Sequence, residues 1–563
     1  MLKGIGVSSG IGIGTAVFIG PPKADYSHVV PSTPSEESQK LSHAIQNFVQ
    51  KTRIMAQNLE GQAGSYQAQI LLAQIQIAED PFLIQQVEDF ISQGYCAEQA
   101  LDLVCQMFIQ TLSSTDDPLM AQRAVDIQDL RTRILMELLG LEAVDLSTLP
   151  PASVLVAQEL TPSMTATLNP SHIAGILTET GASTSHCAIL ARAMGLPAVL
   201  SIPEATTQIH TGDTVIVDGD SGIALLHPED AVLTQYRARQ QVLQQEKSAL
   251  FSYANCPTIT ADGHKVALYG NIGTQQQAQQ VSDATGEGIG LFRTEFLFMD
   301  HTPTEEEQFQ TYRQVLETMG TREVIIRTLD VGGDKDIPSL GLEEEANPFL
   351  GLRGIRYCLS HKEVFLSQLR ALVRASAYGN LRIMLPMVST VEELRQSKQL
   401  FMQIKEEFDQ TGVPYNRDLK LGIMVETPSA LLMADLLAQE ADFFSIGTND
   451  LTQYIMAADR GNPAVQSLCS PYHPAMLRAI LYIIQSGHRF GISVGMCGEA
   501  AANPELIPLL LGFGLDEFSV SPSLILQTRK AIAQWTLEQA EALAQSALRC
   551  VTEEEILALL HTF

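Results

Sequence analysis

The chain has 563 residues, of which 45% are apolar and 18% charged, with 64 acidic against 35 basic side chains and a net charge of −29. That length predicts three or four domains, and that much apolar material excludes a disordered chain. The acidic balance excludes a nucleic-acid binder, which needs a basic footprint, and no apolar run reaches the ~18 residues of a membrane span.

Residues 1 to about 22 are rich in glycine and β-branched side chains. Gly10-Ile11-Gly12-Ile13-Gly14 has the look of a nucleotide-binding glycine loop, but no strand precedes a helix there. The stretch reads as a twisted strand with tight turns. Thr33-Pro34-Ser35-Glu36 reads as a capped helix start, with Pro34 in the first turn and Glu36 closing a capping box. Helical periodicity then runs to about residue 140. Asp80-Pro81 opens one helix that Gly94 ends, and Pro118 opens another that Gly140 follows. We expect a bundle of four or so helices over 23–147.

From Ala152 the pattern changes to short strands at Val154–Val156, Ile173–Leu177, Ala198–Ile202 and Thr214–Val217, with a turn at Asp218-Gly219. A helix from Ser185 to Met194 interrupts them. Residues 1–22 and 148–228 therefore form one α/β domain into which the bundle is inserted. Residues 229–255 read as a linker helix. From 256 to 563, eight apolar runs alternate with helical stretches: Val266–Asn271, Gly288–Phe292, Val324–Ile326, Ile383–Val388, Gly422–Val425, Phe443–Gly447, Ile492–Met496 and Glu517–Val520. Eight such repeats specify a parallel (β/α)8, or TIM, barrel.

Many of these runs end in a polar or reactive residue, and in such a barrel those ends share one face. Arg293, Arg327, Arg353 and Arg460 offer guanidinium forks that suit carboxylate and phosphate. Glu426 and Asp450, at adjacent strand ends, make a magnesium site when completed by water and substrate oxygens. Asn449 can donate to a phosphate oxygen, and Cys497 stands at another strand end. The predicted ligand is a small phosphorylated carboxylate bound through Mg²⁺. In the α/β domain, Thr180-Gly181-Ala182-Ser183-Thr184-Ser185-His186 joins a strand to a helix. His186 falls in the first helical turn, where the dipole favours an anion on the ring and a neutral imidazole. The eight cysteines, Cys96, Cys105, Cys187, Cys256, Cys358, Cys469, Cys497 and Cys550, include no CxxC pair, which is cytoplasmic usage without disulfides or a zinc site. The N-terminus lacks the basic and apolar regions of a signal peptide.

GASTSHCAILAR at 181–192, GIGLFRTEFLFMD at 288–300, IIRTLDVGGDK at 325–335, NPFLGLRGIR at 347–356, GIMVETPSA at 422–430, FSIGTNDLTQY at 444–454 and GMCGEA at 495–500 resemble enzyme I of the bacterial phosphoenolpyruvate:sugar phosphotransferase system. The resemblance runs from KGIGVSSGIGIGTA at 3–16 along the whole chain. It implies a swivelling phosphohistidine domain with an inserted helical bundle, followed by a phosphoenolpyruvate-binding barrel that also dimerises. It implies phosphorylation of His186, and phosphoenolpyruvate binding by Arg293, Arg327, Arg353, Arg460, Lys335 and Asn449. Glu426 and Asp450 match the Mg²⁺ ligands, with Mn²⁺ as an alternative ion, and Cys497 matches the proton donor that yields pyruvate. The bundle would dock the phosphocarrier HPr. Leu72 and Gln74 depart from the family pattern, which has an acidic residue and a histidine near the docking surface.

Phosphoenolpyruvate synthase and pyruvate phosphate dikinase share the histidine segment and the barrel. They also need a nucleotide-binding domain, and the residues before the histidine segment are too few and too helical for one. A nitrogen-linked variant would carry a sensory domain ahead of KGIG. A non-catalytic regulator would not be expected to keep the strand-end groups. An aldolase or lyase barrel leaves His186 without a role.

Overall fold

The computed structural model describes the chain apart from 21–24, 61–64, 114–117, 142–145, 147–148, 162–163, 165–167, 182–184, 300, 333–336, 338–339, 343–344, 463 and 563. The chain divides into two compact units, Met1–Lys247 and Ser248–Phe563.

The first unit contains an eight-stranded sheet. Its strands are β1 (Leu2–Lys3), β2 (Ile5–Ser8), β3 (Ile11–Ile19), β4 (Ser153–Ala157), β5 (Ile173–Thr178), β6 (Ala198–Leu200), β7 (Thr214–Asp218) and β8 (Ile223–Leu226). They lie in the order β1-β8-β7-β3-β4-β5-β6-β2. The glycine-rich N-terminal stretch is three strands, so it is not a nucleotide loop. β3 pairs in parallel with β4, Thr15 opposite Ser153, although more than a hundred residues separate them in sequence. Those residues carry the helices α1 (Pro34–Glu60), α2 (Ser65–Ala78), α3 (Pro81–Ser92), α4 (Ala97–Ser113) and α5 (Pro118–Leu139).

Five helices thus stand among the described residues where four or so were expected. Their starts follow the predicted chemistry. The Thr33 hydroxyl accepts from Glu36 N at 3.4 Å while Glu36 accepts from Thr33 N at 3.1 Å, and Asp80 accepts from Phe82 N at 2.8 Å. The bundle buries its own core, including Leu41, Phe48, Val87, Leu101, Leu130 and Ile134. Among the described residues up to 250, three further α-helices follow in chain order, α6 (His186–Met194), α7 (Ala205–Gln208) and α8 (Asp230–Leu250).

The second unit is a closed, all-parallel barrel of β9 (Ala267–Ile272), β10 (Gly288–Arg293), β11 (Glu323–Arg327), β12 (Asn380–Leu385), β13 (Lys420–Val425), β14 (Phe443–Ile446), β15 (Ser493–Met496) and β16 (Glu517–Val520). β16 closes it by pairing with β9, Glu517 opposite Ala267. The run read as Ile383–Val388 starts at Asn380 and ends at Leu385. Asn380 and Arg382 belong to the strand although they are polar, and Met387 and Val388 are buried in the loop beyond it. The main apolar core lies between the strands and the helices around them. Leu291, Ile325, Met384, Met424, Phe443 and Cys497 fill part of the barrel interior. No helix among the described residues is long and apolar enough to cross a membrane.

Candidate active site

The C-terminal ends of the barrel strands open into a cavity of about 680 Å³. Arg293, Arg327, Arg353, Glu426, Asn449, Asp450, Arg460 and Cys497 all line it. The structure therefore brings together every barrel residue singled out from sequence except Lys335, which lies outside the described residues.

The arginines are not equivalent. Arg327, at the end of β11, is buried and pairs with Glu295 and, at 3.1 Å, with Asp330. Arg353 is fully buried. Its two terminal nitrogens donate to the two Asp450 oxygens, each at 3.0 Å, and it also meets Asp330 at 3.3 Å and the Tyr454 hydroxyl at 3.2 Å. This bidentate fork fixes the carboxylate plane as well as its charge. Arg460 reaches Asp450 at 3.9 Å from a half-buried position. Arg293, at the end of β10 beside Arg327, is exposed to the cavity and has no carboxylate partner among the described residues. Arg327 and Arg353 are thus locked by buried carboxylates, while Arg293 is exposed to the cavity.

Glu295, Asp330 and Tyr454 hold this network, and the sequence reading did not single them out. All three fall inside the quoted motifs, as TEF, TLDVGGDK and DLTQY. Glu295 and Asp330 follow Arg293 and Arg327 closely, and Tyr454 lies one helical turn after Asp450; that proximity was their signal.

Glu426 is buried just beyond β13 and accepts from Met387 N at 2.6 Å. Met387 holds a left-handed backbone, φ 57°, unusual for a side chain of its kind. Gly354 makes room for it: a Cβ there would lie 2.8 Å from the Met387 Cβ. Burial, then the charges of Asp450 and Asp330, push the Glu426 carboxyl up to about 8 against the pull of Arg327 and Arg353. That crowding of acids on one wall is what a hard divalent cation relieves, and the donor set is oxygen only. Among the described residues no three such side chains form a closed metal cage. A pair of carboxylates suits an ion that keeps waters and substrate oxygens in its shell.

Asp450 and Asn449 sit in the first turn of the helix Thr448–Met456. The Asn449 amide is held by Glu499, donating to its Oε1 at 3.3 Å and accepting from its backbone N at 3.2 Å. Cys497 directly follows β15 and is buried. Burial pushes its thiol up to about 11, so it stays protonated at neutral pH.

His186 is the first residue of α6, in the other unit. Ser185 is the N-cap, and its hydroxyl accepts from Ala188 N at 3.4 Å. The incoming turn is pinned by the Ser201 hydroxyl on Gly181 O at 2.5 Å and by Thr180 on Gln158 O at 3.0 Å. Ser183 and Thr184 lie outside the described residues. In the bundle, Gln74 is fully buried, donating to Asp129 at 3.0 Å and accepting from Arg133 at 3.2 Å. It belongs to the bundle interior, while Leu72 is partly exposed.

Three family descriptions match in chain order. They are the N-terminal region of PEP-utilising enzymes over 3–123, their mobile domain over 149–222 and their PEP-binding domain over 247–537. The fold is thus that of a PEP-utilising enzyme. Among curated relatives, the phosphoenolpyruvate-protein phosphotransferase of Staphylococcus carnosus (strain TM300) is 42% identical, over 100% of this chain and 99% of its own. That of Bacillus subtilis (strain 168) is 42% identical over 99% and 98%. The chain belongs to the phosphoenolpyruvate-protein phosphotransferase family. Among solved structures, the solution structure of the Enzyme I (nEIt) protein is 33% identical, over 43% of this chain and 100% of that one, with a TM-score of 0.38.

Proposed function

We propose that the chain takes the phosphoryl group of phosphoenolpyruvate onto His186, releases pyruvate, and passes the group to a histidine of the phosphocarrier HPr, the first step of sugar phosphotransfer. One observation carries this reading. A single cavity offers cationic forks for a phosphate and a carboxylate, a pair of carboxylates for a metal, and a protonated thiol.

Arg293, Arg327, Arg353 and Arg460 engage the substrate anions, Arg327 and Arg353 from positions fixed by their buried carboxylates. Asn449 donates to a phosphate oxygen, and Lys335 approaches the same group. Glu426 and Asp450 hold Mg²⁺, or Mn²⁺ in its place. Bound there, the ion supplies charge neutralisation of the phosphate oxygens. Phosphoryl transfer asks the protein mainly for in-line positioning and neutralised charge. The neutral His186 ring forms the N–P bond as the P–O bond to the enol oxygen breaks. The Cys497 S–H bond then breaks as a C–H bond forms at the methylene carbon, giving pyruvate.

His186 visits the barrel to be charged and leaves it to discharge, a rigid-body motion of the microsecond-to-millisecond class. The surface charge of −29 favours a partner with a basic face. The reading includes a cytoplasmic homodimer joined through the barrel unit.

The test is incubation with phosphoenolpyruvate carrying labelled phosphate and Mg²⁺, with and without purified HPr. Label should appear on the chain, move to HPr, and be absent from His186→Ala. Labelling that survives this substitution sinks the assignment of the nucleophile.

A further inference from the structure

An asparagine amide has an acceptor end and a donor end, and only the donor end suits a phosphate oxygen. Asn449 is the second residue of the helix Thr448–Met456, so its backbone is set by that helix. Its amide is set from another strand end. The Glu499 backbone N–H donates to Asn449 Oδ1 at 3.2 Å, and Glu499 Oε1 accepts from Asn449 Nδ2 at 3.3 Å. A backbone N–H only donates, so it selects the oxygen end of the amide and turns the nitrogen end toward the carboxyl. The donor left over is the second Nδ2–H. Asn449 and Glu499 both line the substrate cavity.

Glu499 is itself held where these bonds can form. The segment after β15 lies against the end of β14. There the Cys497 and Gly498 N–H groups both donate to Ile446 O, at 3.2 and 3.4 Å. Gly498 permits the close approach, since a Cβ there would lie 1.9 Å from Thr448 Oγ1 and 2.6 Å from Thr448 N. The segment that carries Cys497 and the helix turn that carries Asn449 are therefore bonded into one piece.

We propose that Glu499 is a positioning residue: by holding the Asn449 amide at both ends, it presents the second Nδ2–H to a phosphate oxygen of the substrate. The inference rests on the reading of Asn449 as a phosphate contact. One bond leaves an amide free to swing about it, whereas two fix its plane. A donor held in advance loses little freedom when the ligand arrives. The same bonds keep a fixed separation between the amide that meets the phosphate and the thiol that meets the carbon.

The sign of the effect separates orientation from charge. An acidic side chain beside a phosphate repels it. If Glu499 acted through its charge, its removal would strengthen the binding of an anion. If it acts by orienting Asn449, its removal weakens that binding.

The test follows transfer of labelled phosphate from phosphoenolpyruvate to the full-length chain with Mg²⁺. Glu499→Ala should lower kcat/KM for phosphoenolpyruvate about fivefold, the size of one hydrogen bond. Glu499→Gln keeps an oxygen acceptor and should recover most of that loss. Inhibition by pyruvate, which has the carboxylate but no phosphate, should stay the same in Glu499→Ala. In an Asn449→Ala background, Glu499→Ala should have no further effect, because the amide that it orients is gone. A raised or unaltered kcat/KM in Glu499→Ala overturns the inference. So does a Glu499→Gln as low as Glu499→Ala, or a full fivefold loss that persists without Asn449. A parallel weakening of pyruvate makes Glu499 a general support of the cavity and overturns it too. Label that fails to reach the unaltered chain, or that survives His186→Ala, sinks the proposed function instead.

Discussion

In the sheet unit, one candidate group stands at the start of a nine-residue helix, and the turn before it is held by hydroxyl-to-carbonyl bonds such as Ser201 to Gly181. In the barrel unit, eight strand ends converge, and the charged groups there neutralise one another before any ligand arrives. Arg353 alone touches Asp330, Asp450 and Tyr454. A group that must travel needs only its own helix turn to be well formed. A pocket for a multiply charged small molecule needs opposed charges held at fixed distances in a site with little water, where they interact strongly.

The largest effect that tests this contrast is on stability. Arg353→Ala leaves Asp450 buried without its bidentate partner and Asp330 with Arg327 alone, and should cost about 3–5 kcal/mol. The equivalent change in the sheet unit, Arg239→Ala, removes a half-exposed partner of Asp218 at 3.3 Å, while Ser221 and Tyr236 still donate to that carboxylate. It should cost under about 1 kcal/mol. Denaturant titration of both variants measures the difference, and equal losses would break the comparison.

Cys497→Ala should slow pyruvate formation about 100-fold or more, the range of a lost general acid, while His186 still becomes labelled. Rapid-quench sampling separates the two readouts. An unchanged pyruvate rate returns Cys497 to the barrel core.

Acidity sharpens the contrast further. Glu517 is raised inside the barrel from an ordinary 4.5 to about 8. An acid whose folded pKa is raised favours the folded state fully below its unfolded value, and that advantage fades as pH rises through the folded one. Stability should therefore decline between about pH 4.5 and 8, and Glu517→Gln should flatten that decline. In the sheet unit Asp218 is lowered overall, by bonds from Ser221 and the charge of Arg239 acting against its burial, so its contribution is lost as pH falls. Thermal melts across pH, with and without the substitution, decide this.

The smallest effect should be the same in both units. Thr33 in the bundle and Thr304 in the barrel each close a capping box. Changing either to Ala should cost about 1 kcal/mol by thermal denaturation.

The boundaries of the barrel strands were legible where apolar runs coincide with them, as at Glu517–Val520. They were misplaced where the barrel carries polar layers. Arg382 stands inside β12 because neighbouring strands supply its partner, Glu323 at 2.5 Å, and Asn380 is exposed at the strand's start. A reading by hydropathy has no means of finding such a partner. The short strands β1, β2 and β8 have too few residues to show a period, and their pairing is fixed by contacts from distant parts of the chain.

By itself the sequence determined the helix starts, the rhythm of eight strands and the set of groups at their ends, because caps and periodicity act over a few neighbouring residues. Only the tertiary structure decided which arginines are locked by buried carboxylates, that Gln74 faces the bundle interior, and that Glu517 is buried in the barrel. Those outcomes depend on charges and cavities shared between different elements, such as Arg353 with Asp450 and Gln74 with Asp129, and such groups meet only when the bundle and the barrel have packed.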